Sequence, residues 1–112
     1  MSKFDDYLDD VLSDAKILLG STFKKGKKEA TEILEKHVEN SKERLKRWTK
    51  LLATGAITES EFKLLVNNQV TLGRMRLRTI KVIGKRAALD FRDKLRTLFI
   101  DKAVEVFLPR LN

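Results

Sequence analysis

Arg74, Arg78, Lys81, Lys85, Arg92 and Arg96 recur at steps of four, three, four, seven and four. On a helix that spacing makes one stripe. Repeated cations can neutralise a polyanion and release its counterions. They can equally form a solvated face, or one matched by acids elsewhere in the chain. Asp5, Asp6, Asp9, Asp10 and Asp14 offer such a match. Aromatic residues do not interleave with the stripe, so base stacking is disfavoured. Any nucleic acid would be held by its backbone, without sequence readout. A second basic cluster, Lys24, Lys25, Lys27 and Lys28 around Gly26, follows the stretch ILLGSTF. Lysines beside apolar residues suit an anionic membrane surface, but the stretch is short and an ordinary basic bend fits it better.

Catalytic chemistry has less to work with. His37 is the single histidine and lies between Leu34 and Ser41 on an apolar face. A base or metal ligand needs convergent partners. The nearby Glu29, Glu32, Glu35, Glu39 and Glu43 point mostly away from that face, so a packed histidine is expected. With no cysteine, disulfides, thiolate nucleophiles and zinc–cysteine sites are impossible. No phosphate loop, nucleophile–base–acid set or paired-carboxylate cleft is visible. The expectation is a protein that is not an enzyme, with no cofactor, metal or small-molecule substrate.

The elements that carry these residues follow from composition and period. At 112 residues one domain is expected over 1–112. Charged residues at 36%, with five Gly and one Pro, suit long helices with thin apolar seams. Net charge is +8, yet residues 1–14 carry −4. Between Glu61 and Asp90 there is no acid, while Lys63, Arg74, Arg76, Arg78, Lys81, Lys85 and Arg86 supply +7. Such a balance attracts nucleic acid, anionic lipid or an acidic protein surface. No apolar run reaches the roughly 20 residues of a membrane span. The start of the chain is acidic where a secretion signal would be basic and then apolar. A cytoplasmic protein is the expectation.

The clearest punctuation is TGAITESEF, residues 54–62. Gly55 suits the left-handed position past a helix end. Thr58 with Glu61 makes a capping box, and Ile57 with Phe62 has the spacing of a hydrophobic staple. One helix should end near Ala53 and another start at Glu59, as antiparallel neighbours. Residues 44–65, RLKRWTKLLATGAITESEFKLL, resemble the short C-terminal (SHOCT) helical hairpin in Leu51, Leu52, Gly55, Ile57, Thr58, Glu61 and Phe62. That family's unit usually closes a chain, whereas this one sits mid-chain, and KLLVNNQ stands where a Lys-rich stretch follows the family's Phe. The resemblance implies a helical hairpin used for association, with oligonucleotide as one implied partner, and transfers no catalytic residue.

Beyond the turn, Phe62, Val66, Val70, Gly73, Leu77, Ile80, Gly84, Ala87, Phe91, Leu95 and Leu98 keep steps of three or four. That phase predicts one helix from Glu59 to about Phe107, near 74 Å long, stopped by Pro109. The alternation in RMRLRTIKVIGKR, residues 74–86, is then coincidence rather than a strand. Before the turn, Phe23, Ala30, Leu34, His37, Ser41, Leu45, Trp48 and Leu52 share a face, traceable back through Leu19, Leu12 and Leu8. Gly20, Ser21 and Thr22 could end one helix and cap the next. Four lysines would then crowd a helix's positive end, so a break and a continuous helix both stand. The chain divides into an acidic N-terminal helix (1–20), a first arm (22–53) and a second arm (59–108).

Side positions Ile33, Leu51, Leu65, Leu72, Met75, Val82, Ile83 and Phe99 are also apolar, so a two-helix seam would leave them wet. Either the first helix folds back, or two hairpins pair into a four-helix, coiled-coil-like bundle. The homodimer is favoured, with Leu45, Trp48, Gln69, Leu77 and Ile80 at the oligomer seam. Gln69, beside Asn67 and Asn68, could fix register or simply be solvated. The expected fold is thus all-α, a long antiparallel hairpin with an N-terminal helix. The expected function is an interaction, assembly or regulatory module presenting the basic stripe to an acidic protein partner. A nonspecific nucleic-acid binder and a peripheral membrane protein are the alternatives.

Overall fold

A computed structural model of the chain describes residues 2–71 and 82–108. Arg74, Leu77, Arg78, Ile80 and Lys81 lie outside the described residues. Four helices are described: α1 (Lys3–Thr22), α2 (Lys27–Ala53), α3 (Glu59–Thr71) and α4 (Lys85–Phe107). No strand occurs among the described residues. The all-α class and the antiparallel α2–α3 hairpin are as expected.

Local chemistry explains most of the boundaries. Ser2 caps α1: its Oγ accepts from the Asp5 N–H at 3.1 Å, and Asp5 and Asp6 complement the positive end of the helix. α2 ends in a Schellman motif. The Ala56 N–H reaches the Leu51 carbonyl at 2.9 Å and the Gly55 N–H reaches Leu52 at 3.2 Å. Gly55 has φ 77°, which disfavours any side chain there. The capping box then closes reciprocally. The Thr58 N–H donates to Glu61 Oε1 at 2.9 Å, and the Glu61 N–H donates to Thr58 Oγ1 at 3.1 Å. Phe62 is fully buried and Ile57 half-buried against the core.

One open choice is decided and one expectation is corrected. The stretch at 20–26 is a break, but it comes later than Gly20, Ser21 and Thr22 suggest. α1 runs through them, and the Ser21 and Thr22 hydroxyls donate back to the Leu18 carbonyl rather than capping a new helix. The corner is made by extended Phe23 and left-handed Gly26, φ 75°. The second arm is not one helix from Glu59 to Phe107. α3 is described as far as Thr71, and α4 starts only after Gly84, which is extended at ψ 151°. A rod of about 74 Å would have left its flanks wet, whereas the molecule's longest dimension is 47 Å. Folding back buries Ile83, Phe99, Ile100 and Ala103 instead.

The break also resets the phase. Along α4 the buried residues are Ala88, Phe91, Leu95, Phe99, Ile100 and Ala103. Ala87 and Leu98, expected on the seam, are only half-buried, and Phe99, expected on the side, is in the core. The reason is that α4 packs on α1, α2 and α3 rather than on one neighbour. Before the turn the expected face holds: Phe23, Ala30, Leu34, His37, Ser41, Leu45 and Leu52 are buried, and Trp48 is half-buried. All four helices of this core come from a single chain. α1 supplies the cover that a second hairpin would otherwise give.

α1 lies antiparallel to α4. At one end the Tyr7 hydroxyl donates to the Phe99 carbonyl at 2.8 Å, and its ring meets Phe107 edge-on at 5.4 Å. At the other end Phe23 packs on Phe91, ring centres 5.4 Å apart. Each large ring buried stabilises by roughly 1.5–3 kcal/mol. Burial raises the Tyr7 pKa far above its ordinary value, because a phenolate there would lose its water.

Two predictions follow from these contacts. A Thr58→Ala/Glu61→Ala pair should lower unfolding stability by about 1 kcal/mol or somewhat more in urea titration. Tyr7 stays protonated in the folded state at pH values where the unfolded phenol ionises. Its contribution is therefore whole below pH ~10 and falls as pH rises further. Tyr7→Phe should flatten that alkaline fall while costing about 1 kcal/mol at neutral pH.

Candidate interaction surface

The stripe read from the sequence divides. Arg92 is half-buried and turns to Asp93, with Nη2 at 3.1 Å and Nε at 3.3 Å from Oδ1. Arg96 donates from Nη1 to Asn67 Oδ1 at 2.8 Å, tying α4 to α3, and lies 3.9 Å from Asp93. Arg96 thus ties two helices together, while Arg92 is engaged by a neighbour on its own helix. Lys63, at the edge of the stripe, pairs with Glu59 one turn away at 3.1 Å. Lys85, by contrast, is exposed at the start of α4.

The acid beside Arg92 and Arg96 is the local Asp93, whereas Asp14 of the N-terminal cluster pairs with Lys102 at 3.6 Å. Exposed acids collect where the start of α1 meets the end of α4: Asp6, Asp9, Asp10, Asp101 and Glu105. Lys3 sits there over the Phe107 ring, 5.8 Å from its centre.

The opposite end is basic. Phe23 against Phe91 holds the corner after α1 beside the first turns of α4. Ser21 and Thr22 line one open groove with Lys85, Arg86, Ala87, Leu89, Asp90 and Lys94. Lys24, Lys25, Lys27, Lys28, Lys85 and Arg86 are all exposed. α2 and α4 both begin at this end, with Gly26 and Gly84 as N-caps, and neither has a side-chain cap. The first turn of α4 contains no acid and that of α2 contains only Glu29. The positive ends of two helix dipoles therefore add to the lysines rather than being cancelled by them. Sequence reading treated the Lys24–Lys28 corner and Lys85 as unrelated. Their meeting depends on the antiparallel pairing of α1 with α4, and the two glycines at helix starts were the available signal.

Between the two ends runs a second open groove of about 450 Å³ along α1 and α4, lined by Asp14, Ile17, Leu18, Ser21, Lys94, Thr97 and Leu98. Ile17 is 73% exposed. Lys94 pairs with Asp90 at 3.0 Å. Both grooves share Ser21 and Lys94, so they are continuous.

The remaining candidates are internal. His37 is buried on α2. Gln69, 7% exposed, donates from Nε2 to Ser41 Oγ at 2.9 Å, across the α2–α3 seam. Leu45 is buried within the chain's own core and Trp48 packs at its edge. Among the described residues no group of three or more His, Asp or Glu could hold a metal ion. None of the described helices is long and apolar enough to cross a membrane. Comparison with family models, with curated proteins and with solved structures returns no match.

The Gln69–Ser41 bond makes its own prediction. Ser41→Ala should cost about 1–3 kcal/mol, because it strands a buried amide donor. Adding Gln69→Leu should recover part of that loss, a coupling that a double-mutant cycle in urea would read.

Proposed function

We propose that this chain is a non-enzymatic helical interaction module that docks an acidic protein surface on the basic end of its bundle. The observation that carries the reading is the gathering of Lys24, Lys25, Lys27, Lys28, Lys85 and Arg86 around two helix starts without side-chain caps. Arg92 and Arg96 are occupied by Asp93 and Asn67, so the stripe supports the reading through Lys85 alone among its described members. Charge complementarity of this kind steers association and selects partners. The hairpin resemblance at residues 44–65 agrees with a role in association.

Nucleic acid is the second reading, favoured by the net charge of +8. Two features weigh against it. The rings nearest the basic end, Phe23 and Phe91, are buried and offer no stacking platform. On the α1–α4 side, the exposed Asp6, Asp9, Asp10, Asp101 and Glu105 would repel a phosphate backbone that followed the long axis.

The full chain used as bait in native lysate, with and without nuclease, tests the choice. An acidic protein should be retained after nuclease, and Lys24→Glu/Lys25→Glu/Arg86→Glu should lose it by about tenfold or more. Capture that disappears with nuclease, together with retention on mixed DNA that falls steeply with salt, would assign the basic end to nucleic acid.

A further inference from the structure

The geometry points to a second copy of this chain as the occupant of the α1–α4 groove, in an antiparallel, two-fold symmetric dimer. The inference rests on the reading of the basic end as a protein-docking surface, and it names the acidic surface that docks there.

A two-fold interface must be complementary to itself. The α1–α4 face meets that condition about Ile17. On α1, Asp6, Asp10, Asp14, Ile17 and Ser21 fall on one flank at steps of four, four, three and four. Toward one end the exposed charges are Asp6, Asp9 and Asp10, joined by Asp101 and Glu105 of α4, with Lys3 an exposed cation among them. Toward the other they are Lys24, Lys25, Lys85 and Arg86. At 1.5 Å per residue, Asp10 and Asp6 stand roughly 10 and 16 Å from Ile17 along α1, and Arg86 stands roughly 16 Å from Thr97 along α4. Acid and base therefore lie at similar distances on either side of the apolar centre.

Turning a copy by a half-rotation about Ile17 brings each acidic end onto a basic one. It also closes Ile17, Leu18 and Leu98 of one copy against those of the other. The acid–base pairs at the centre, Asp14 with Lys102 and Asp90 with Lys94, are already satisfied within each chain, so they add no repulsion there. The molecule measures 47 × 26 × 24 Å, so a long side has room for the ~800 Å² that each partner contributes to an interface of standard size. A parallel pairing would oppose like charges at both ends, and an apolar ligand alone would leave the charge pattern unused.

Sedimentation equilibrium of the full chain at micromolar concentration tests this. The wild type should dimerise, and raising salt from ~0.05 to ~0.5 M should weaken the dimer by about tenfold. Ile17→Asp, at a site too exposed to harm folding, should weaken it by at least about tenfold. Asp6→Lys/Asp10→Lys and Lys25→Glu/Arg86→Glu should each be monomeric with unchanged circular dichroism. Mixed in equal amounts, these two variants should form a dimer with each other. Three outcomes overturn the inference: a wild type that stays monomeric at low salt, reversal variants that dimerise like the wild type, or a mixture that stays monomeric. A monomer that anionic vesicles sediment through Ile17 would give the groove to a lipid surface instead. A monomer that captures a different acidic protein through the basic end would sink the dimer and leave the docking reading standing.

Discussion

α1 is held antiparallel to α4 by rings at both ends, Tyr7 on Phe107 and Phe23 on Phe91. The rest of the arrangement depends on that pairing. It converts a hairpin with wet flanks into a closed core, because α1 covers what α2 and α3 leave open. It sets the corner at Phe23 to Gly26 beside the start of α4. It also joins the acidic start of α1 to the acidic end of α4. Without it the charged residues would be scattered along separate rods.

The polar contacts inside this framework serve position more than binding. Gln69 and Ser41 satisfy each other across α2 and α3, where an unpaired amide would be costly. Arg96 reaches Asn67 on the neighbouring helix. Arg92 and Arg96 share the single carboxylate of Asp93. A cation counted as free in the sequence can thus be spent within the fold. Of the cations that remain exposed, Lys24, Lys25, Lys27, Lys28, Lys85 and Arg86 are sorted to the end where two helices begin. That sorting supplies a long-range field which the composition, a net charge of +8, does not describe.

Much of the fold could be read directly. The turn at Gly55, Thr58 and Glu61 was legible because each bond in it is local, joining residues six positions apart or fewer. The buried face of α2 was legible because one helix repeats its own period without interruption. The second arm was not. Its apolar period ran unbroken through Gly84, and nothing local says whether a glycine at such a place bends or continues. Phe99 was read as a side position that further packing would cover, and it is buried on a helix with three neighbours that the period alone does not name. Of the candidate site, Lys85 was named as part of a stripe and the Lys24–Lys28 corner as a separate feature. Their shared location depends on contacts between Phe23 and Phe91, 68 positions apart.

By itself, then, the order of residues determined helical class, the capping chemistry and which face of each short segment is apolar. These are set by bonds and periods within a few turns. Only the tertiary structure decided where the long arm divides, which arginines are consumed internally and which charges stand together. Those outcomes follow from burying the most apolar surface at once. That is a property of the whole packed chain, and no window along it carries the information.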